Sequence, residues 1–109
     1  MEGTLNMNTL NLQKLTVEEI NVLQQTHFKN WELSEDRKIL SMLINFKGNL
    51  KAMSFLNALM FQANCRNHHP DIHMTFNTVK VSWTTHDADG LSQKDKELVE
   101  VTNQLISLL

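Results

Sequence analysis

The sequence predicts an α+β fold of order αββαββα, a four-stranded antiparallel sheet with its helices packed on one face. Two stretches in which apolar residues recur at every second position each read as a hairpin, because period two marks a strand buried on one side. Between them lies a stretch whose apolar residues recur at helical spacing, and capping patterns open a helix near each end of the chain. Hairpins separated by helices build an antiparallel sheet that the helices cover from one side. At 109 residues the chain has the length of one such domain.

The first helix is set by Thr16-Val-Glu-Glu19, a capping box in which hydroxyl and carboxylate each satisfy a free backbone amide, with Leu15 and Ile20 placed as a hydrophobic staple across it. It runs from about Val17 to about His27, with Ile20 and Leu23 facing inward. Trp31-Glu-Leu33, a polar turn at Ser34-Glu-Asp36, and then Leu40, Met42, Ile44 and Phe46 in alternation give the first hairpin. Gly48-Asn49 breaks the strand and opens the central helix, on which Ala52, Met53, Phe55, Leu56, Leu59, Met60 and Ala63 form a broad apolar stripe. Pro70 disfavours helical geometry at the residue before it, so this helix is expected to end near His68 or His69. Ile72, Met74 and Phe76 alternate into a turn at Asn77-Thr78, and Val79, Val81 and Trp83 alternate out of it. After a loop over Asp87-Ala-Asp-Gly90, Ser92 opens a last helix that runs through Leu109. That helix has an apolar stripe of Leu98, Val101, Leu105 and Leu108, widened by Val99, Ile106 and Leu109. The surplus fits burial against a second copy of the chain, or equally a wide core face with frayed end residues.

Composition narrows the function classes. Ten Lys plus Arg stand against twelve Asp plus Glu for a net charge of −2, with no basic run, so neither nucleic acid nor an anionic membrane is an expected partner. No apolar run approaches the ~20 residues that span a bilayer. Residues 1–14 lack the basic start and apolar core of a secretory signal and read as a polar N-terminal arm, leaving 15–109 as a single domain. The one cysteine, Cys65, has no partner for an internal disulfide, which fits a reducing compartment. A cytoplasmic location is the resulting expectation.

Histidine is the uneven part of the tally: of five, His68, His69, His73 and His86 fall in one short stretch. The break at Pro70 lets His68 and His69 turn toward one space instead of diverging around a helix. His86 is placed at the end of the fourth strand, sharing parity with Lys80, Ser82 and Thr84 and so pointing away from the apolar face. Three imidazoles then converge on one open polar surface, and imidazole exchanges protons in both directions near neutral pH. His27 reads as ordinary surface, and His73 receives no role. A zinc site is the rival chemistry, but His69-x-x-x-His73 crosses a proline into a strand, without the helical i, i+4 geometry of paired ligands, and Cys65 has no second Cys nearby. No metal ligand is therefore assigned. Asp95 has a structural reading of its own, since Ser92-Gln-Lys-Asp95 is a second capping box in a helical turn that favours acidic residues.

Asn67-His-His-Pro-Asp71, then Phe76, Thr84-Thr-His86 and Gly90-Leu-Ser-Gln-Lys-Asp95 together resemble the pterin-4a-carbinolamine dehydratase family, whose pattern they match in register and without a gap. Weaker similarity covers Leu15-Thr-Val-Glu-Glu19, Asn30-Trp31 and Phe46-Lys47, so the resemblance extends from about Leu15 to the C-terminus. It implies the same αββαββα fold and homodimers or homotetramers built partly through helix packing. It also implies an activity: removal of water from a 4a-hydroxytetrahydropterin to give the quinonoid dihydropterin, in tetrahydropterin recycling, with no metal or organic cofactor. Carried over residue by residue, His68 and His86 are the acid/base pair, in an order the sequence leaves open. His69 positions the pterin, Asp95 orients or charge-stabilises His86, and Phe76 packs either the site wall or the core.

Two positions depart from the family pattern. Asn64 stands, four residues before His68, where the family commonly has a charged residue; it keeps hydrogen bonding toward the substrate site but supplies no charge. Ile72 replaces a Trp often found there, removing a flat surface beside the pterin. The alternative to an enzyme is a non-enzymatic member, since the resembling family includes dimerisation partners of transcription factors and assembly chaperones for a carbon-fixing enzyme.

Overall fold

The computed structural model describes residues 13–109, so most of the polar arm expected over residues 1–14 lies outside the described residues. Lys14 pairs with Ser92 in an isolated bridge, and the Leu15 N–H donates to the Leu91 carbonyl at 2.8 Å, joining the start of the domain to the start of its last helix. The elements are α1 (Val17–Gln24), β1 (Glu32–Leu33), β2 (Leu40–Asn45), α2 (Asn49–Arg66), β3 (Asp71–Met74), β4 (Thr78–Trp83), a 3-10 turn (His86–Ala88) and α3 (Gln93–Ser107). This is the αββαββα order, and its strands form one antiparallel sheet in the order β1-β2-β4-β3.

Register explains the core. Leu40, Met42 and Ile44 lie opposite Trp83, Val81 and Val79, while Ile72 and Met74 lie opposite Val81 and Val79 from the other side, so every second residue of three strands faces the helices. Onto that face α2 buries Ala52, Phe55, Leu59 and Ala63, α3 buries Leu98, Val99 and Thr102, and α1 adds Ile20 and Leu23. Val79, Val81 and Trp83 are fully buried, which makes β4 the middle of the core. The opposite face is polar: Ser41 bonds Ser82 at 2.9 Å across the sheet, and His73 sits exposed beside Lys80.

Both capping boxes form. The Thr16 hydroxyl accepts from the Glu19 N–H while the Glu19 carboxylate takes the Thr16 N–H, and Ser92 and Asp95 repeat the arrangement on α3. Other boundaries differ from expectation for local reasons. α1 stops at Gln24, and a run of turns to Trp31 follows, with the Phe28 N–H donating to the Leu23 carbonyl at 2.7 Å. α2 ends at Arg66, short of the histidines, because Asn67 adopts the left-handed conformation (φ 52, ψ 42) and the His68 N–H then closes onto the Ala63 carbonyl. Asparagine tolerates that conformation better than most residues, so the stop is made at Asn67 and not by the proline alone.

β3 ends at Met74, and the Thr75 N–H donates to the Thr78 carbonyl across a turn that swings Phe76 out to 73% exposure, not into the alternation expected of it. On α3, Leu105 and Ile106 pack against the core, whereas Leu108 and Leu109 lie beyond the helix end and are exposed. Most of the apolar surplus is therefore core face and frayed end. The larger exposed apolar group belongs to α2, where Leu50, Met53 and Phe61 face outward. Among the described residues no helix is long and apolar enough to cross a membrane.

Candidate active site

Three segment ends meet at one end of the sheet: the residues after α2, the residues after β4 and the first turn of α3. Between them lies a cavity of about 500 Å³ lined by His68, His69 and His86 together with Asn67, Thr84, Thr85, Asp87 and Lys94. The three histidines singled out by spacing thus share one cavity, although two of them arrive differently from expectation. His86 does not end a strand. β4 stops at Trp83, the Thr84 hydroxyl donates to the Lys38 carbonyl at 2.6 Å, and the Thr85 N–H bonds the Gly90 carbonyl at 2.9 Å, so the chain turns and His86 opens the 3-10 turn. A Lys38–Asp89 ion pair at 3.1 Å ties that loop down.

Nor does His68 sit on an open polar surface. Its side chain is 11% exposed and stacks on Trp83, ring centroids 5.6 Å apart and planes 19° from parallel, at the edge of the apolar face. Trp83 is held in turn by the core around it and by its indole N–H, which donates to the Thr102 hydroxyl at 3.3 Å.

The strongest polar feature is Asp95, which is fully buried. Its Oδ1 lies 2.7 Å from His68 Nε2, while its Oδ2 accepts from the Thr85 hydroxyl at 2.6 Å and from the Ser92 N–H at 2.9 Å. Thr85 and Ser92 hydroxyls are 2.7 Å apart, closing the network. A carboxylate offers only acceptors, so His68 must carry its proton on Nε2, which leaves Nδ1 as the unprotonated nitrogen of the neutral ring. Burial strengthens such bonds because no water competes for them.

This corrects the carried-over role of Asp95: its partner is His68, not His86. The capping box supplies the reason. The Ser92 N–H fixes Asp95 against the start of α3, and the turn after α2 brings His68, not the 3-10 turn's His86, within reach of its free oxygen. Among the described residues His86 has no side-chain partner.

His69 is exposed, and its Nε2 lies 2.8 Å from the Asn64 side-chain oxygen, one turn back on α2. Asn64 therefore acts on the ring of His69 and does not itself line the cavity. Phe76 is not part of this cavity. It sits on the turn at the far end of the β3–β4 hairpin, roughly 13 Å of strand away at ~3.3 Å per residue, so it packs neither the site wall nor the core of its own chain. Ile72 faces Val81 on the apolar side and packs against the core, away from the cavity. Among the described residues no three His, Cys, Asp or Glu side chains are grouped to hold a metal ion.

Against known proteins, the family model described as pterin 4 alpha carbinolamine dehydratase matches residues 13–105. The chain belongs to that family. A Picosynechococcus protein provisionally named pterin-4-alpha-carbinolamine dehydratase is 38% identical over 92 residues, which cover 84% of this chain and 97% of that one. A Legionella pneumophila protein of the same provisional name is 39% identical over 75 residues, 69% of this chain and 66% of its own length, just under two thirds.

Among solved structures, a transcriptional coactivator/pterin dehydratase from Brucella melitensis superposes with a TM-score of 0.80 at 24% identity, covering 85% of this chain and 98% of its own. A pterin dehydratase-like protein identified as a RuBisCO assembly factor in the alpha-carboxysome superposes at 0.62 with 16% identity, covering 72% and 92%. Both likenesses concern the fold.

Within the family frame, the residues that sequence reasoning passed over are Trp83, Thr85 and Lys94. Trp83 was placed only in the core by its strand parity, and nothing in a linear pattern shows that a core ring also carries the face of His68. Thr85 lies inside the quoted Thr84-Thr-His86. Lys94 carried a readable signal, a cation in the first turn of a helix, where acidic residues are favoured.

Proposed function

We propose that this chain is a pterin-4a-carbinolamine dehydratase, a hydro-lyase that removes water from a 4a-hydroxytetrahydropterin in tetrahydropterin recycling. The observation that carries this reading is the buried Asp95 bonded to His68, across one cavity from an unpaired His86. A cavity of about 500 Å³ is within the range that takes a small heterocycle.

The dehydration needs one proton delivered and one removed. His86, as imidazolium, gives its proton to the hydroxyl on C4a, the C4a–O bond breaks, and water leaves. The N5 lone pair forms the C4a=N5 bond, and His68 Nδ1 takes the N5 proton, giving an imidazolium balanced by Asp95. Proton exchange with solvent then restores both rings. The assignment follows from the geometry: with its Nε2–H held by Asp95, His68 presents the unprotonated Nδ1 of a base, whereas the exposed, unpaired His86 exchanges protons with solvent and serves as the acid. His69, steadied by Asn64, positions the pterin. The chemistry is proton transfer throughout and requires no cofactor.

The test is direct. Purified protein is expected to accelerate dehydration of a 4a-hydroxytetrahydropterin, and His68→Ala or His86→Ala to remove roughly 10²–10⁴-fold of that gain. A wild-type rate equal to buffer overturns the enzyme reading.

One observation favours a second role, as a dimerisation or assembly partner: the exposed Leu50, Met53 and Phe61 on α2 give an apolar face for a homodimer, a homotetramer or another protein. None of the three lines the cavity, so the two roles are separable by mutation. A cytoplasmic location accords with the dehydratase reading and the lone cysteine.

A further inference from the structure

Lys94 is the only lysine or arginine lining the cavity among the described residues, and its setting has no structural return. It occupies the first turn of α3, whose N-terminus carries partial positive charge and disfavours a cation. The residue is only 9% exposed, so a long and naturally mobile side chain is held close against the protein. Yet among the described residues no carboxylate lies within ion-pair distance of its ammonium and no oxygen accepts from it, while its backbone N–H donates to the Ser92 hydroxyl at 3.2 Å. Asp87 also lines the cavity but does not pair with it. A side chain packed down to 9% exposure, whose ammonium has three donors, no protein acceptor and an open cavity beside it, is matched by an acceptor on a ligand.

We propose that Lys94 is a specificity-determining residue whose ammonium donates to the ring carbonyl oxygen of a 4-oxopterin; the inference rests on the dehydratase reading above. The substrate presents two oxygens on neighbouring ring carbons, the departing C4a hydroxyl and the C4 carbonyl. The hydroxyl takes the proton of His86, which leaves the carbonyl as the acceptor for Lys94. A pteridine with an amino group at that carbon offers a donor in place of the acceptor, and Lys94 rejects it, because a site built to hydrogen-bond one group is left unpaired by the other.

The experiment titrates 2-amino-4-oxopteridine and 2,4-diaminopteridine into the wild type, Lys94→Met and Lys94→Arg by ligand fluorescence, at a pH where both ligands are neutral. The wild type is expected to prefer the oxo ligand by about tenfold or more, Lys94→Met to lose most of that preference through weaker oxo binding, and Lys94→Arg to keep it. In turnover, Lys94→Met should raise KM more than it lowers kcat. Lys94 makes no side-chain bond among the described residues, so the variant should melt near the wild type. Lys94→Met binding both ligands as the wild type does overturns the role of Lys94 and leaves the dehydratase reading standing. Wild-type protein that binds neither ligand overturns both.

Discussion

Replacing Asp95 with asparagine changes few atoms and, from the geometry, reverses one proton. The carboxylate accepts three donors: the His68 Nε2–H at Oδ1, and the Thr85 hydroxyl and Ser92 N–H at Oδ2. The Ser92 amide cannot become an acceptor, so the asparagine oxygen must take the Oδ2 position and its NH2 must face His68. Nε2 is then forced to accept, and the ring proton moves to Nδ1, the nitrogen proposed to take a proton from substrate. Three charge-assisted bonds also become neutral ones, a loss of roughly 1 kcal/mol each at most, and about 2 kcal/mol after rearrangement. In a domain of this size that lowers Tm by roughly 8–16 °C.

The expected kinetic result for Asp95→Asn is a fall in kcat of roughly 10²–10⁴-fold with KM little changed. The assay is dehydration of a 4a-hydroxytetrahydropterin, paired with ¹⁵N NMR of the His68 ring to read its tautomer. Thr85→Val separates stability from chemistry: it removes one donor to Asp95 and the contact with the Ser92 hydroxyl but leaves the His68 contact, so it should lose stability, by about 1.5–3 kcal/mol for a bond to a carboxylate, while keeping kcat within about tenfold. A kcat for Asp95→Asn within about threefold of wild type, or a ring proton still on Nε2, refutes the reasoning.

Other substitutions read the remaining contacts. Asn64→Ala frees the His69 ring from its 2.8 Å partner; KM should rise about fivefold, in keeping with ~1 kcal/mol for one hydrogen bond, with kcat nearly unchanged, in steady-state kinetics. Trp83→Leu removes both the ring under His68 and the bond to Thr102, so thermal unfolding should show a loss of about 2–4 kcal/mol and kcat should fall as well. Phe76→Ala, at the exposed turn, should leave kcat and KM within about twofold, since isolated surface changes cost little; a larger loss would return Phe76 to the site, supplied by another copy of the chain. Phe61→Glu on α2 should shift light-scattering mass toward the monomer without lowering activity in the remaining fold, and an unchanged mass would clear that face of a role in self-association.

The fold was largely legible because its signals are local and periodic. Alternation over Leu40, Met42 and Ile44 and over Val79, Val81 and Trp83 became the two strands that pair at the centre of the sheet, and both capping boxes formed as read. What failed depended on single backbone conformations. The left-handed Asn67 ended α2 earlier than Pro70 alone suggested, and the turn at Thr75–Thr78 removed Phe76 from the strand parity that had placed it inward. Strand parity also failed beyond Trp83, since the Thr85–Gly90 pairing bends the chain before His86. The cluster His68, His69 and His86 was visible as spacing, but the partner of Asp95 was not. Pairing across 27 residues is decided by how two segment ends are brought together, which no periodicity encodes.

The capping box on α3 links that packing to the chemistry. A helix cap needs an acceptor at the helix start whatever the protein does, and Asp95 meets that need with Oδ2 by taking the Ser92 N–H. Its second oxygen is left over, and helix geometry fixes its direction as firmly as it fixes the cap. His68 is brought to that oxygen by the tight stop of α2 and held flat against Trp83, so neither partner has to give up much side-chain freedom at the moment of reaction. A site assembled this way couples stability to activity at Asp95 and at Trp83, but not at His86, which is exposed and unpaired among the described residues. His86→Ala should therefore remove activity while leaving Tm within about 4 °C of wild type, because surface substitutions away from caps and core usually change stability by less than ~0.5 kcal/mol. A large drop in Tm for that variant would show that His86 is held by contacts of its own, and its assignment as the freely recharged acid would fail.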